Sequence, residues 1–131
     1  MVQQSQYGTP VFIIPKKEGT GRFITYYHRI NQKWVRTPYI LPRIGKTTYH
    51  LEVLQCVTIL DLNIGYFTIR LSLASQDMTI IVTEFDKFGY NGIPMGIYAS
   101  REIFQAKVNE LLGDIKGIKT YIDDILVLIS I

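Results

Sequence analysis

The sequence predicts an α+β fold with an antiparallel sheet, and three observations carry that prediction. Two β-prone runs near the N-terminus flank a glycine-containing turn, a helix-period apolar stripe lies at 103–112, and two further apolar arms flank an aspartate pair near the C-terminus. Strands, one clear helix, then strands again is the order of an α+β chain rather than of a regular βαβ alternation.

In chain order, Pro10-Val11-Phe12-Ile13-Ile14-Pro15 and Arg22-Phe23-Ile24-Thr25-Tyr26-Tyr27 flank Lys16-Lys17-Glu18-Gly19-Thr20-Gly21, the pattern of a hairpin with a basic tip. Pro38, Pro42 and Gly45 punctuate Tyr39 to Ile44, which predicts an irregular or extended connection there. Val57-Thr58-Ile59-Leu60 reads as a buried strand ending at Asp61, and Cys56 before it as a small core residue. A polar break at Ser75-Gln76-Asp77 precedes a second strand, Thr79 to Thr83. Ser100 is a suitable N-cap for a helix whose first turn carries Glu102, and Ile103, Phe104, Val108, Leu111 and Leu112 form its core stripe up to Gly113. After Gly117, Lys119 to Leu128 reads as a hairpin with Asp123 and Asp124 at its tip.

At 131 residues and 47% hydrophobic content the chain is a single core-forming domain, not a multidomain machine and not a disordered segment. Its apolar runs fall far short of the ~20 residues of a membrane helix, and the polar start lacks a signal-peptide layout, so a soluble, intracellular protein without a membrane partner is expected. One cysteine excludes an internal disulfide and a cysteine-based zinc site. The net charge of +3 is unevenly shared: residues 1–50 hold eight Lys/Arg against one acid, residues 51–131 six against ten. A basic half suits a polyanion and an acidic half suits divalent cations.

Two-metal phosphoryl transfer needs carboxylates on rigid elements, because hard divalent cations take oxygen ligands. Asp61 ends a strand, and Asp123 and Asp124 can share a site with it only where a tight turn redirects one of that pair, since strand neighbours face opposite sides. An Asp-Asp pair also makes a good turn and Asp61 a good strand terminus, so spacing alone leaves both readings open.

The local sequence is more specific. Tyr121-Ile122-Asp123-Asp124 resembles the Tyr-x-Asp-Asp motif of reverse transcriptases, and nearly the whole chain resembles the polymerase domain of gypsy-type LTR retrotransposons and retroviruses. Tyr7 to Thr20 is similar to the family's first fingers strand and basic loop; Arg22, Tyr27, Ile30, Asn31 and Lys33 fall on its next block. Tyr39 to Ile44, Leu60 to Tyr66, Ile93 to Ile97 and Phe104-Gln105 follow in the family's order. The resemblance implies a partial right-hand polymerase fold: a fingers hairpin, then a palm antiparallel sheet with packed helices. On that basis residues 1–131 are one partial domain, about 1–50 fingers and about 51–131 mainly palm, with thumb and RNase H absent.

Roles follow from the resemblance as well. It implies Asp61, Asp123 and Asp124 as catalytic residues and ligands of two Mg²⁺, with Mn²⁺ able to substitute, Asp124 being the more supportive of the three. Arg22 with Lys16 or Lys17 would meet the triphosphate of the incoming nucleotide, Tyr66 would be the steric gate, Met95 and Gly96 would line the nucleotide pocket, and Tyr121 would lie near the primer terminus. The implied partners are an RNA or DNA template-primer, dNTP, and the remaining polymerase or another subunit; weak polymerisation by this chain alone is expected. The sequence departs from the family at Gly21, Tyr26, His28, Asp86, Ala99 and Arg101, so the frame of the nucleotide pocket is altered. The rival reading is an inactive remnant that binds nucleic acid nonspecifically through its basic half; a metal-dependent phosphohydrolase on another scaffold ranks last.

Overall fold

The structure, a computed structural model, describes residues 5–35, 39–40, 56–62 and 65–129. The chain forms two compact units, Met1–Arg36 with Tyr66–Ser100, and Thr37–Gly65 with Arg101–Ile131. Among the described residues no helix is long and apolar enough to cross a membrane. Most of the connection expected over Tyr39 to Ile44 lies outside the described residues.

In the first unit, β1 (Thr9–Pro15) and β2 (Gly21–Thr25) make the expected hairpin, in register from Val11 opposite Thr25 to Pro15 opposite Gly21. Lys16 N donates to Thr20 O at 2.7 Å and closes the basic loop, in which Gly19 takes φ 79°. β1 also pairs with β4 (Ile81–Val82), which pairs with β5 (Lys87–Phe88), giving the order β2-β1-β4-β5. The β1–β4 pair is parallel, so this sheet is mixed rather than antiparallel throughout. A long crossover separates the two strands, and a crossover of that kind permits parallel pairing.

Two short helices were not expected. α1 (His28–Lys33) follows β2 closely, and α2 (Leu73–Met78) occupies the stretch read as a polar break. Ser72 caps α2, its hydroxyl accepting from Ser75 N, which is why a polar run can start a helix here. Thr79 is consequently the C-cap of α2, and Thr83 folds into a turn whose hydroxyl donates to Asp86 O, so the strand expected over Thr79 to Thr83 shrinks to two residues.

The core of this unit is Tyr27, Ile81, Ile97 and Ala99, with Val11, Ile30, Trp34 and Tyr90 packed against it. Tyr27 is 2% exposed and donates its hydroxyl to Thr79 O at 2.9 Å. Burial, reinforced by Tyr90, raises the pKa of that hydroxyl far above the ordinary tyrosine value, which keeps it a donor.

In the second unit, β3 (Cys56–Asp61), β7 (Asp124–Ile129) and β6 (Ile118–Tyr121) form an antiparallel sheet in the order β3-β7-β6. Helix α3 (Ala99–Leu112) has most of its length here, and Phe104, Gln105, Val108 and Ile125 are buried. Three expectations change. Ser100 lies inside the helix and donates its hydroxyl to Pro94 O instead of capping. Leu111 is 67% exposed, so full burial of the apolar stripe ends at Val108. Cys56 is exposed, as is all of β3, which among the described residues is an edge strand beside β7.

Tyr27→Phe removes one buried hydrogen bond and is expected to cost about 1 kcal/mol in urea unfolding. Tyr27→Ala, which also opens a cavity, is expected to cost about 3–5 kcal/mol. Equal stability of Tyr27→Phe and wild type would show that the hydroxyl contributes nothing.

Candidate active site

The acidic site is built on the apolar arms of the second unit. Val57 to Leu60 on β3 pair with Leu128 to Ile125 on β7, and the same register carries Asp61 opposite Asp124. Direct cross-strand partners project from the same face with Cβ atoms about 5 Å apart. Tyr121 is the partner of Asp124 on its other side, so Asp61, Asp124 and Tyr121 form one row across three strands.

Asp123 reaches the row by a different route. Tyr121 pairs with Asp124, leaving Ile122-Asp123 as a two-residue loop; the aspartates therefore do not sit together at the tip, Asp124 being the first residue of β7. Ile122 has φ 52°, a left-handed conformation that costs an ordinary residue about 1–2 kcal/mol. Positive φ at the first loop residue is the pattern of a type II′ hairpin turn, where glycine is the usual occupant. Leu62 N donates to Asp123 O at 2.8 Å, continuing the β3–β7 pairing onto the loop.

A polar clamp holds this turn. Gln105 on α3 is 0% exposed, and its Oε1 accepts from Ile122 N at 2.5 Å. Its Nε2 donates to Asn109 Oδ1 at 2.9 Å and to Thr120 Oγ1 at 3.0 Å, while Thr120 Oγ1 donates to Asn109 Oδ1 at 2.6 Å. Asn109 Nδ2 in turn donates to Tyr39 OH at 2.7 Å. The sequence pattern marks Gln105 only as part of a helix block and does not mark Asn109 or Thr120. The available signal was a polar residue beside Phe104, on the stripe that Val108 continues one turn later.

Electrostatics join the three carboxyls. The Asp123 carboxyl has its pKa raised above the ordinary aspartate value, first by burial and then by Asp61 and Asp124, with Arg101 opposing. Asp123 Oδ1 is buried with no hydrogen-bond partner among the described residues. An orphaned oxygen beside two exposed carboxylates is a donor set that fits a hard divalent cation. Among the described residues, no group of three or more His, Cys, Asp or Glu side chains is drawn together in metal-holding geometry.

The remaining expected site residues lie in the first unit. Lys16, Lys17 and Arg22 are exposed, the lysines in the β1–β2 loop and Arg22 on β2 opposite Ile14. Tyr66 is buried, 6% exposed, in the 3-10 turn Gly65–Thr68. Met95 and Gly96 form an exposed turn in which Gly96 takes φ 102°, a backbone that disfavours any other residue. Asn31 brackets that turn, Nδ2 donating to Gly96 O and Oδ1 accepting from Tyr98 N, both at 2.9 Å.

Solved structures place this architecture among the polymerases. The chain matches a prototype foamy virus protease-reverse transcriptase, CSH mutant, with TM-score 0.88 and 25% identity, over 98% of this chain and 17% of that one. It matches the foamy viral protease-reverse transcriptase in complex with an RNA/DNA hybrid with TM-score 0.84 and 26% identity, again over 98% and 17%. The fold is thus a partial polymerase fold. The family model "Reverse transcriptase (RNA-dependent DNA polymerase)" matches residues 14–131, and the chain belongs to that family. Its relatives include the retrovirus-related Pol polyprotein from transposon 412 of Drosophila melanogaster, 27% identical over 95% of this chain and 11% of that protein. Another is the transposon Tf2-3 polyprotein of Schizosaccharomyces pombe, 32% identical over 90% of this chain and 9% of that protein. The chain spans about a tenth of the length of these curated relatives.

A carboxyl whose pKa is higher in the folded than in the unfolded chain binds its proton more tightly when folded. Its contribution to stability therefore falls as pH rises from the ordinary carboxylate range through the raised value. Asp123→Asn removes that loss, so in metal-free buffer its Tm is expected to exceed wild type at pH 7. The difference should shrink as pH drops below about 4. A Tm difference independent of pH would refute the electrostatic origin.

Proposed function

We propose that this chain is the part of a reverse transcriptase that carries the acidic catalytic site and its nucleotide-facing fingers. The reaction is template-directed transfer of a deoxynucleotidyl group: the primer 3′-oxygen bonds to the α-phosphorus of a dNTP, and the bond to pyrophosphate breaks. The observation that carries this reading is the β3–β7 register, which sets Asp61 opposite Asp124, with Asp123 in the adjoining loop near enough for both to raise its pKa. Asp61, Asp123 and Asp124 would hold two Mg²⁺, or Mn²⁺ in their place. Bound there, the metal supplies charge stabilisation at the attacking and leaving oxygens.

The protein's own groups set the rest. The fork of Arg22 suits phosphate oxygens, and Lys16 and Lys17 add positive charge at a solvent-exposed loop. Tyr66 is the proposed steric gate against a 2′-hydroxyl, Met95 and Gly96 the nucleotide-pocket turn, and Tyr121, in the row with Asp124, the residue beside the primer terminus. The partners proposed for the chain are a template-primer duplex and dNTP, in keeping with relatives solved with an RNA/DNA hybrid and with double-stranded DNA. An inert remnant is not favoured by an acidic row assembled in register.

Mn²⁺ binding followed by electron paramagnetic resonance tests the site. Asp61→Asn and Asp123→Asn are each expected to weaken binding at least tenfold, and Asp114→Asn, in the loop after α3, to leave it unchanged. Any Mg²⁺-dependent incorporation of dTTP into a primer on a poly(rA) template should disappear in Asp123→Asn. Unaltered Mn²⁺ affinity in both site variants would overturn the reading.

A further inference from the structure

Arg101 is one of the positions at which this sequence departs from the family, and its place in the first turn of α3 is unfavourable on local grounds. The start of a helix is the positive end of its dipole, which suits an acid such as Glu102 and opposes a cation. A cation kept there needs negative charge from outside the helix. The acidic site supplies it. Arg101 precedes Gln105 by four residues, so both project from one face of α3. Gln105 Oε1 accepts from Ile122 N, and Asp123 is the next residue of that loop, so the same face meets the turn that carries the aspartate. Arg101 is exposed, whereas Asp123 Oδ1 is buried with no hydrogen-bond partner among the described residues. Electrostatics record the approach: burial, Asp61 and Asp124 raise the Asp123 pKa, and Arg101 lowers it. A charge held off the oxygen in this way acts through its field and leaves the lone pairs open to a ligand.

We infer that Arg101 is a resident counter-charge of the acidic site: it offsets the repulsion among Asp61, Asp123 and Asp124 before a cation binds, and it weakens their hold on a divalent cation, a role that rests on the metal-binding reading above. Both effects have one origin. A positive charge that is favourable beside bare carboxylates becomes repulsive toward a second cation at the same oxygens.

Arg101→Gln removes the charge from an exposed helical position and keeps a good helix former. At about 0.02 M salt its Mn²⁺ affinity, followed by electron paramagnetic resonance, is expected to rise about threefold, the scale of one exposed charge interaction. Arg101→Lys should stay near the wild-type value, and the gain in Arg101→Gln should fade at about 0.5 M salt. In metal-free buffer, the Tm change caused by Arg101→Gln should be more unfavourable in the wild-type background than in Asp123→Asn. Unchanged or weaker Mn²⁺ binding in Arg101→Gln, with Asp123→Asn still weakened, would overturn the counter-charge role and leave the metal reading intact. Weaker binding of a template-primer duplex in that case would make Arg101 a phosphate contact. An equal gain in Arg101→Lys, or no coupling in the metal-free Tm cycle, would also overturn the role. Wild-type affinity in Asp61→Asn and Asp123→Asn would overturn the metal reading itself, whereas the Tm cycle reports the Arg101–Asp123 interaction without any metal.

Discussion

The pairing of β3 with β7 sets Asp61 opposite Asp124, and because side chains alternate across a strand, a slip of one residue would turn one of them to the other face. The apolar residues of β3 oppose such a slip only weakly, since Val57, Ile59 and Leu60 are exposed, whereas Ile125 of β7 is buried. The register is further held at the acidic end, where Leu62 N bonds to Asp123 O just beyond the last paired residues. Leu128 N bonds to Gly117 O, which fixes β7 against β6 instead.

Asp61 and Asp124 in one row repel each other and the neighbouring Asp123, and the fold opposes that repulsion locally. Asp123 is the most burdened: its raised pKa records desolvation first and the two neighbouring aspartates next, and Arg101 at the start of α3 works against all three effects. A strained turn and an unpartnered carboxylate oxygen within two residues of each other mark a place where local stability is given up. The buried Gln105 network repays part of that cost with hydrogen bonds that elsewhere would be ordinary packing.

How much of this was legible in the sequence follows from the range of each interaction. The β1–β2 hairpin and the β6–β7 hairpin depend on neighbours a few residues apart, and both are legible as β-prone apolar runs around turn residues. The acidic row was legible through the motif at Tyr121 to Asp124 together with an aspartate closing an apolar run. What escaped were features set by single side chains or by distant strands. The Ser72 hydroxyl converts a polar stretch into helix α2; Ile81 finds β1 across a crossover; Gln105 is a polar residue on a helix face that meets its partners fifteen and seventeen positions later. The positive φ of Ile122 was invisible because the usual glycine signal for such a turn is missing.

The departures from the family pattern show the same logic at work in the first unit. Tyr26 and His28 stand where an acid and an arginine are expected, and in their place the two rings stack with centroids 5.6 Å apart and planes 13° from parallel. His28 Nε2 further accepts from Gln32 Nε2 at 2.9 Å, securing the first turn of α1. An exposed ion pair contributes only about 0–1 kcal/mol, a range that an offset aromatic stack also reaches. Asp86 likewise stabilises its own turn, Oδ1 accepting from Lys87 N while its N–H donates to Thr83 Oγ1. The stack joins the end of β2 to the start of α1 through a contact that does not depend on salt. These changes alter how the basic unit is held together, and they leave the carboxylates on β3 and β7 untouched.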